Sequence, residues 1–306
     1  MPRGFRLLWK GPEKVREFNK NDLKRLYKPA SDSTGEDNGQ VTIIGGSKLF
    51  HGAPILSLKV ASRMVDMVFF ASPESSVGGI AERIKSKLLS FIWVPWDDVE
   101  QYIKKSDAVL IGPGFMRFGS ERNKDHELKN GSEYGTQTRR ITEHLLKKFP
   151  NKRWVIDAGS LQTMDPGWIP QDAIVTPNKK EFELLFKVKI QSSKGKNASQ
   201  NLKIVQEKAT RYNCIIVLKS PETIVASIDK TVLVKGGNAG LTKGGTGDVL
   251  AGLTVALLAK NETFLAACAA SYILKATADE LHKKVGVYYN ADDLANRIPE
   301  TVVPIF

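Results

Sequence analysis

From residue 41 onward, short apolar, β-branched runs alternate with longer segments of helical pattern, and this alternation constrains the fold more than any other feature of the chain. Strands are expected at 41–44, 67–71, 91–94, 107–111, 154–157, 173–176, 214–219, 223–227 and 231–235, the last two forming a hairpin. Helices are expected at 53–65, 80–89 and 138–149, and dominate after residue 235. Apolar strands separated by helices argue for an α/β fold in three layers, with a mostly parallel central sheet covered by helices on both faces. In such folds ligands bind outside the carboxyl ends of the strands, where several of these runs end in Gly, Asp, Asn or Lys.

Composition narrows the setting. At 306 residues the chain can bury a substantial core, and 42% hydrophobic with 25% charged residues is ordinary for a soluble globular protein. The apolar stretch 249–259 is too short to span a bilayer, and the basic N-terminus lacks a signal-peptide core. Cys214 and Cys268 sit in apolar surroundings, as buried thiols in a reducing compartment do. A cytoplasmic location without membrane attachment is expected. Net charge is +12, and residues 1–30 hold nine Lys/Arg against three Asp/Glu. Residues 1–38 are read as a basic arm ending in a polar linker over 28–39, and residues 39–306 as the functional domain. The arm could contact nucleic acid, but no nucleic-acid module accompanies it; a solvated face is favoured, and a nucleic-acid partner is not expected. The polar segment 117–135 reads as a long loop, either a lid or a tolerated insertion.

The chemistry-bearing stretch is GGNAGLTKGGTGDVLAG at 236–252, where seven of seventeen residues are glycine and Asp248 stands just before an apolar run. It could be a plain turn with Asp248 as a first-turn helix residue. It could instead bare the amides of Gly244, Gly245, Thr246 and Gly247 at a helix N-terminus, as an anion site. A P-loop is excluded because Thr246 follows Gly245 where lysine is needed, and the dinucleotide fingerprint begun at Gly112 places Arg117 at its third glycine. Asn178 and Glu181 fit a capping box, compatible with carboxylate support of a metal. Asp157 is either a strand-end turn former or a polar group at the site floor. His51, His126, His144 and His282 have no metal-ligand spacing.

Five stretches in order, GGSKLFHGAPILS (45–57), GPG (112–114), TPNKKEFELL (176–185), KSPETIVAS (219–227) and GGTGDVLAG (244–252), resemble the ADP/ATP-dependent NAD(P)H-hydrate dehydratases of the ribokinase-like superfamily. The resemblance runs from about residue 40 to residue 300. It implies a ribokinase-like sandwich, repair of hydrated NADH or NADPH (NADHX, NADPHX), ADP or ATP as phosphoryl donor, and Mg²⁺. It implies Asp248 as the base at the acceptor hydroxyl, kept ionised by the helix N-terminus, and Gly244, Gly245 and Thr246 as the phosphate cradle. Lys219, Ser220, Pro221, Glu222, Thr223 and Gly247 would border the nucleotide, and Ala53, Gly114 and Asn178, with Asp248, the hydrated dinucleotide. Glu181 would support Mg²⁺ through water, and Asn238 and Gly240 would shape the loop or meet nucleotide. Asn178 stands where the family commonly has histidine, and Ser220 follows Lys219 where glycine is usual. A homo-oligomer is expected from relatives, and a separate epimerase from the shortness of the arm. Two other functions compete: a kinase of a small hydroxylated metabolite on the same fold, and a non-catalytic nucleotide or nucleic-acid binder.

Overall fold

The computed structural model describes residues 15–84, 88–118, 131–191 and 197–303. Its framework is a ten-stranded sheet: β1 (Arg16–Glu17), β2 (Gln40–Ile44), β3 (Met67–Ala71), β4 (Ile92–Trp93), β5 (Ala108–Ile111), β6 (Arg153–Ile156), β7 (Ile174–Val175), β8 (Ile215–Leu218), β9 (Thr223–Ala226) and β10 (Thr231–Val234). Their spatial order is β1-β10-β9-β8-β7-β6-β5-β2-β3-β4. Among these strands only β9 runs against its neighbours, pairing antiparallel with both β8 and β10. The expected hairpin is therefore present, and so is the mostly parallel sheet.

Helices cover both faces. One face carries α1 (Gly52–Ala61), α2 (Ser75–Ile84), α8 (Thr246–Lys260), α9 (Thr263–Val285) and α10 (Ala291–Val302). The other carries α3 (Val99–Lys105), α4 (Gly131–Lys148), α5 (Ala158–Thr163), α6 (Lys179–Phe186) and α7 (Asn197–Tyr212). Successive strand residues divide between the two cores. Val41, Ile43, Val68, Phe70 and Leu110 enter the first, while Ile44, Phe69, Val109 and Ile111 enter the second. This is why the strands read as unbroken apolar runs: with both faces buried, neither set of alternating positions meets water. Full burial of side chains such as Phe69, Phe70 and Leu110 stabilises the fold by about 2–3 kcal/mol each. Helix α8 lies inside the first layer and is buried at every position from Val249 to Ala259, as a helix apolar all round must be.

Three local expectations change. The segment expected as part of a free arm is packed on the sheet from Val15 onward. Strand β1 adds parallel to β10, Phe18, Leu23 and Leu26 are buried, and Asn19 and Asp22 form a capping box. Packing therefore begins well before residue 39, while 28–39 is irregular and mostly exposed. The segment 117–135 is not all loop, because α4 already begins at Gly131; residues 119–130 lie outside the described residues. Helix α2 starts at Ser75 rather than 80, since Val77 and Ala81 anchor it to the core despite two glycines between them.

The topology fixes where ligands can sit. β2 continues to β3 and β4 on one side, whereas β5 to β8 extend on the other, so the strand order reverses between β2 and β5. The crevice of such a sheet opens at the carboxyl ends of these strands, and Gly45, Gly112, Asp157, Thr176 and Lys219 immediately follow β2, β5, β6, β7 and β8. No helix among the described residues is long and apolar enough to cross a membrane.

Candidate active site

The site is assembled from strand ends and one helix N-terminus. Asp157 leaves β6 with its side chain buried, accepting from the Thr176 hydroxyl at 2.8 Å and from the Lys219 ammonium at 2.8 Å. Lys219 leaves β8 and also lies 3.7 Å from Glu181. The Asn178 and Glu181 capping box opens α6: the Asn178 side chain accepts from the Glu181 amide at 3.0 Å, and Glu181 accepts from the Asn178 amide at 2.8 Å. Gln162 of α5 donates to the other Glu181 oxygen at 3.0 Å. An isolated parallel bridge joins Asn178 to Lys219, so the loops after β7 and β8 advance in register.

The glycine segment enters from the other side of the same crevice. Asn238 holds its start, accepting from the Gly240 amide at 3.0 Å and the Tyr289 hydroxyl at 2.8 Å while donating to the Ala278 carbonyl at 2.9 Å. That makes Asn238 a shaper of the loop. Gly245 caps α8 with φ of +91°, and a Cβ there would stand 2.5 Å from Leu56 Cδ1 and 2.8 Å from Ala291 Cβ. Only glycine satisfies both the left-handed backbone and this contact. Thr246 is buried and faces inward, its hydroxyl donating to the Leu241 and Lys243 carbonyls. Gly244, by contrast, faces open space, and a Cβ on Gly247 would lie 3.4 Å from Lys219 Nζ. The exposed Gly244 and the Lys219 ammonium thus flank the first turn of α8, but the Thr246 amide is not bare as expected, since it donates to the Lys243 carbonyl at 3.4 Å.

A paired substitution tests this division. Gly245→Ala is expected to lower stability by about 2–4 kcal/mol, the sum of backbone strain and overpacking, whereas Gly244→Ala leaves it within about 0.5 kcal/mol. Urea unfolding of both variants reads the difference, and equal stabilities would contradict the assigned geometry.

Asp248 lies in the first turn of α8, half-buried, and its pKa is pushed up to about 7. Burial is the largest cause; Asp157 and Glu181 add to it, and Lys219 opposes them. This reverses the expectation that the helix N-terminus keeps Asp248 ionised, because desolvation among three carboxylates outweighs the helix dipole. Glu181 is likewise raised, first by burial, against the pull of Lys219. Burial acts to lower the Lys219 pKa, but Asp157 and Glu181 more than offset it, and the ammonium is held charged. The arrangement can place a proton acceptor working near neutral pH beside a fixed cation at a helix N-terminus.

Other expected site residues divide by location. Ser220, Pro221 and Glu222 line a cleft of about 310 Å³ with Lys219, whose apolar wall is Ile190, Leu202, Leu218, Ile224 and Leu233. Thr223 is buried and donates its hydroxyl to the Ser220 carbonyl at 3.2 Å, closing that turn. Ala53, partly buried in α1, and Gly114, after β5, lie toward the reversal between β2 and β5. Gly114 has φ of +73°, and a Cβ there would meet the Phe50 carbonyl at 2.1 Å, so its own packing already demands glycine. Thr176, Gln162, Lys275 and Asp279 were not among the sequence candidates. Of these, only Lys275 leaves a sequence trace, as a cation inside the apolar run of α9. Cys214 and Cys268 are buried and unpaired, and burial pushes the Cys214 thiol up to about 12.

Comparison with known proteins matches this architecture. A family model described as NAD(P)H-hydrate dehydratase matches residues 41–300. The bifunctional NAD(P)H-hydrate repair enzyme Nnr of Methanocaldococcus jannaschii is 34% identical over 295 residues, covering 93% of this chain and 52% of the relative. The chain thus spans about half the length of such bifunctional relatives. The ADP-dependent (S)-NAD(P)H-hydrate dehydratase of Nitrosopumilus maritimus is 30% identical over 279 residues, covering 90% of this chain and 92% of that one. The ADP/ATP-dependent NAD(P)H-hydrate dehydratase of Bacillus subtilis, co-crystallised with ATP and Mg²⁺, superposes with a TM-score of 0.76 at 20% identity, covering 96% of this chain and 100% of the other. That structural likeness, shared with a ribokinase-like superfamily protein of Enterococcus faecalis at a TM-score of 0.72 and 20% identity, carries the fold, and the sequence matches carry the family: the chain belongs to the NAD(P)H-hydrate dehydratases.

Proposed function

We propose that the protein restores hydrated NADH or NADPH to the intact cofactor in a reaction that consumes ADP or ATP. The observation that carries this reading is the placement of Asp248 on the first turn of α8, behind open Gly244 and beside the Lys219 ammonium. Asp248 takes the proton of the ring hydroxyl as its oxygen attacks the terminal phosphorus of the nucleotide, and the bond to the leaving phosphate oxygen breaks. The phosphorylated ring then releases inorganic phosphate with the electrons of its C–O bond. Loss of a neighbouring ring proton restores the double bond. The sum is NAD(P)HX plus ATP giving NAD(P)H, ADP and phosphate, or AMP and phosphate from ADP. A base with a pKa near the working pH suits this role, and such catalysis contributes about 10²–10⁴-fold.

The amides of the α8 N-terminus and Lys219 meet negative charge on the transferred group; one preorganised donor of this kind contributes about 3–4 kcal/mol. The cleft beside Ser220, Pro221 and Glu222 offers apolar walls to the adenine nucleotide. Mg²⁺ entering with the nucleotide would neutralise phosphate charge. Glu181, whose oxygens already accept from Gln162 and Asn178, would support it through water. Ala53, Gly114 and Asn178 are proposed to face the dinucleotide. An epimerase for the other hydrate epimer, fused or separate, is the partner activity this reading calls for.

Protein mixed with NADHX, Mg²⁺ and either ADP or ATP is expected to regain the reduced-nicotinamide absorbance band only when nucleotide is present. Nucleotide binding without recovery, together with phosphorylation of a small hydroxylated metabolite, would replace this reading with the kinase.

A further inference from the structure

Lys275 lies in the middle of α9, 5% exposed, within a run of apolar residues. A lysine is costly to bury there unless its ammonium is satisfied. It donates to the carbonyls of Pro221 at 2.6 Å, Gly236 at 3.1 Å and Ser220 at 3.3 Å, three acceptors for three protons. These carbonyls belong to two separate segments, the turn between β8 and β9 and the exit from β10. One helical turn further on, Asp279 accepts from the Gly237 amide at 2.9 Å and from Asn238 Nδ2 at 3.2 Å. Neighbouring residues on one face of α9 therefore grip the backbone of Gly236 and Gly237, and Lys275 ties that point to the wall of the cleft.

We infer that Lys275 is a positioning residue for the nucleotide, holding the Ser220–Pro221 backbone to the start of the glycine segment so that the cleft and the α8 N-terminus keep one fixed spacing. The inference rests on the nucleotide-dependent reading above. Lys275 does not line the cleft itself; it acts through the carbonyls it holds. A lysine kept only for packing would have no reason to spend all three protons on these two segments. The titratable groups facing it are Asp279 on its own helix and Glu222 on the turn. Burial pulls the Lys275 pKa down to about 8, against both carboxylates. A neutral amine keeps two N–H donors for three carbonyls and turns its lone pair toward the third, so the tie loosens as pH rises through 8.

The test compares wild type, Lys275→Arg and Lys275→Met. Dissociation constants for ADP and ATP are measured by titration calorimetry from pH 6.5 to 9, and KM for nucleotide, KM for NADHX and kcat are determined separately. Lys275→Met is expected to weaken nucleotide binding about tenfold while KM for NADHX and kcat stay within about threefold. Wild-type nucleotide affinity is expected to fall several-fold between pH 7 and 9. Lys275→Arg, which stays charged, should recover most of the affinity and flatten that dependence. Unchanged affinity in Lys275→Met, equal loss in all three kinetic parameters, or a flat wild-type profile would overturn the inference. Should Lys275→Met fail to fold, the wild-type and Lys275→Arg pH series still decides it. Wild type that binds nucleotide without restoring NADH sinks the proposed reaction alone, because affinity still reads the role of Lys275.

Discussion

Asp248→Asn is expected to lower turnover by about 10²–10⁴-fold while making the protein more stable at pH 8. The first effect follows from losing the proton acceptor at the hydroxyl, within the range for general bases. The second follows from the raised pKa. A carboxyl at about 7 in the folded chain and near 3.8 in the unfolded one binds more protons when folded across that interval. Stability contributed by the protonated form is therefore present at low pH and lost as pH rises from about 4 to about 7. Asparagine removes that loss. Discounted for partial exposure to water, the gain at pH 8 is about 1 kcal/mol, or about 2–4 °C in Tm, and it vanishes near pH 4. The same titration governs activity with the opposite sign: wild-type kcat/KM rises with pH through about 7, as the base loses its proton. Thermal melts at pH 4 and pH 8, with a pH–rate profile, check all of this; a variant destabilised at pH 8 would contradict the burial argument.

Lys219→Met carries the second large effect. The ammonium lies 2.8 Å from Asp157 and 3.7 Å from Glu181, and without it Asp157, 2% exposed, keeps the Thr176 hydroxyl as its side-chain partner among the described residues. Removing one partner of a fully buried pair costs about 3–5 kcal/mol; with 21% of the lysine side chain exposed, about 2–3 kcal/mol is expected. The Asp248 pKa should also climb further, because Lys219 is what lowers it. The rise of activity with pH then moves to higher pH, and residual activity is better at pH 8.5 than at 7. The double variant Asp157→Asn, Lys219→Met removes both charges and should regain part of the lost stability. Urea midpoints around this cycle measure the coupling, and additive losses would show that the pair does not interact.

The strands were legible because a sheet buried on both faces leaves continuous apolar runs, and β3 begins and ends where its run does. Most other runs overreach by a residue or more, whereas β2 starts one residue before its expected run, at Gln40. Asp157, Thr176 and Lys219 follow the last residues of β6, β7 and β8 and keep backbone bonds to neighbouring segments, while their side chains meet at the site. β1 was not legible: Arg16 and Glu17 are exposed and charged, and their pairing with β10 lies more than 200 residues away in sequence. The start of α4 was hidden because GSEYGTQT reads as loop by composition, although it is helical in the folded chain. At the site, Asp248, Lys219 and the Asn178–Glu181 cap stood out because each belongs to a local motif. Gln162, Thr176, Lys275 and Asp279 act through partners distant in the chain, so only folding reveals them. The direction of the Asp248 shift was misread for the same reason: the helix N-terminus is local, while burial comes from the whole fold, and Asp157 and Glu181 arrive from the end of β6 and from α6.

In the proposed reaction Asp248 drives phosphoryl transfer to the hydrate, and phosphate loss restores the ring. Simultaneous measurement of inorganic phosphate release and reduced-nicotinamide absorbance, with NADHX and ATP or ADP in one cuvette, addresses it most directly. One phosphate released per NADH regained, with both signals lost together in Asp248→Asn, is the predicted result. NADH regained without phosphate, or phosphate released without NADH, would contradict the account.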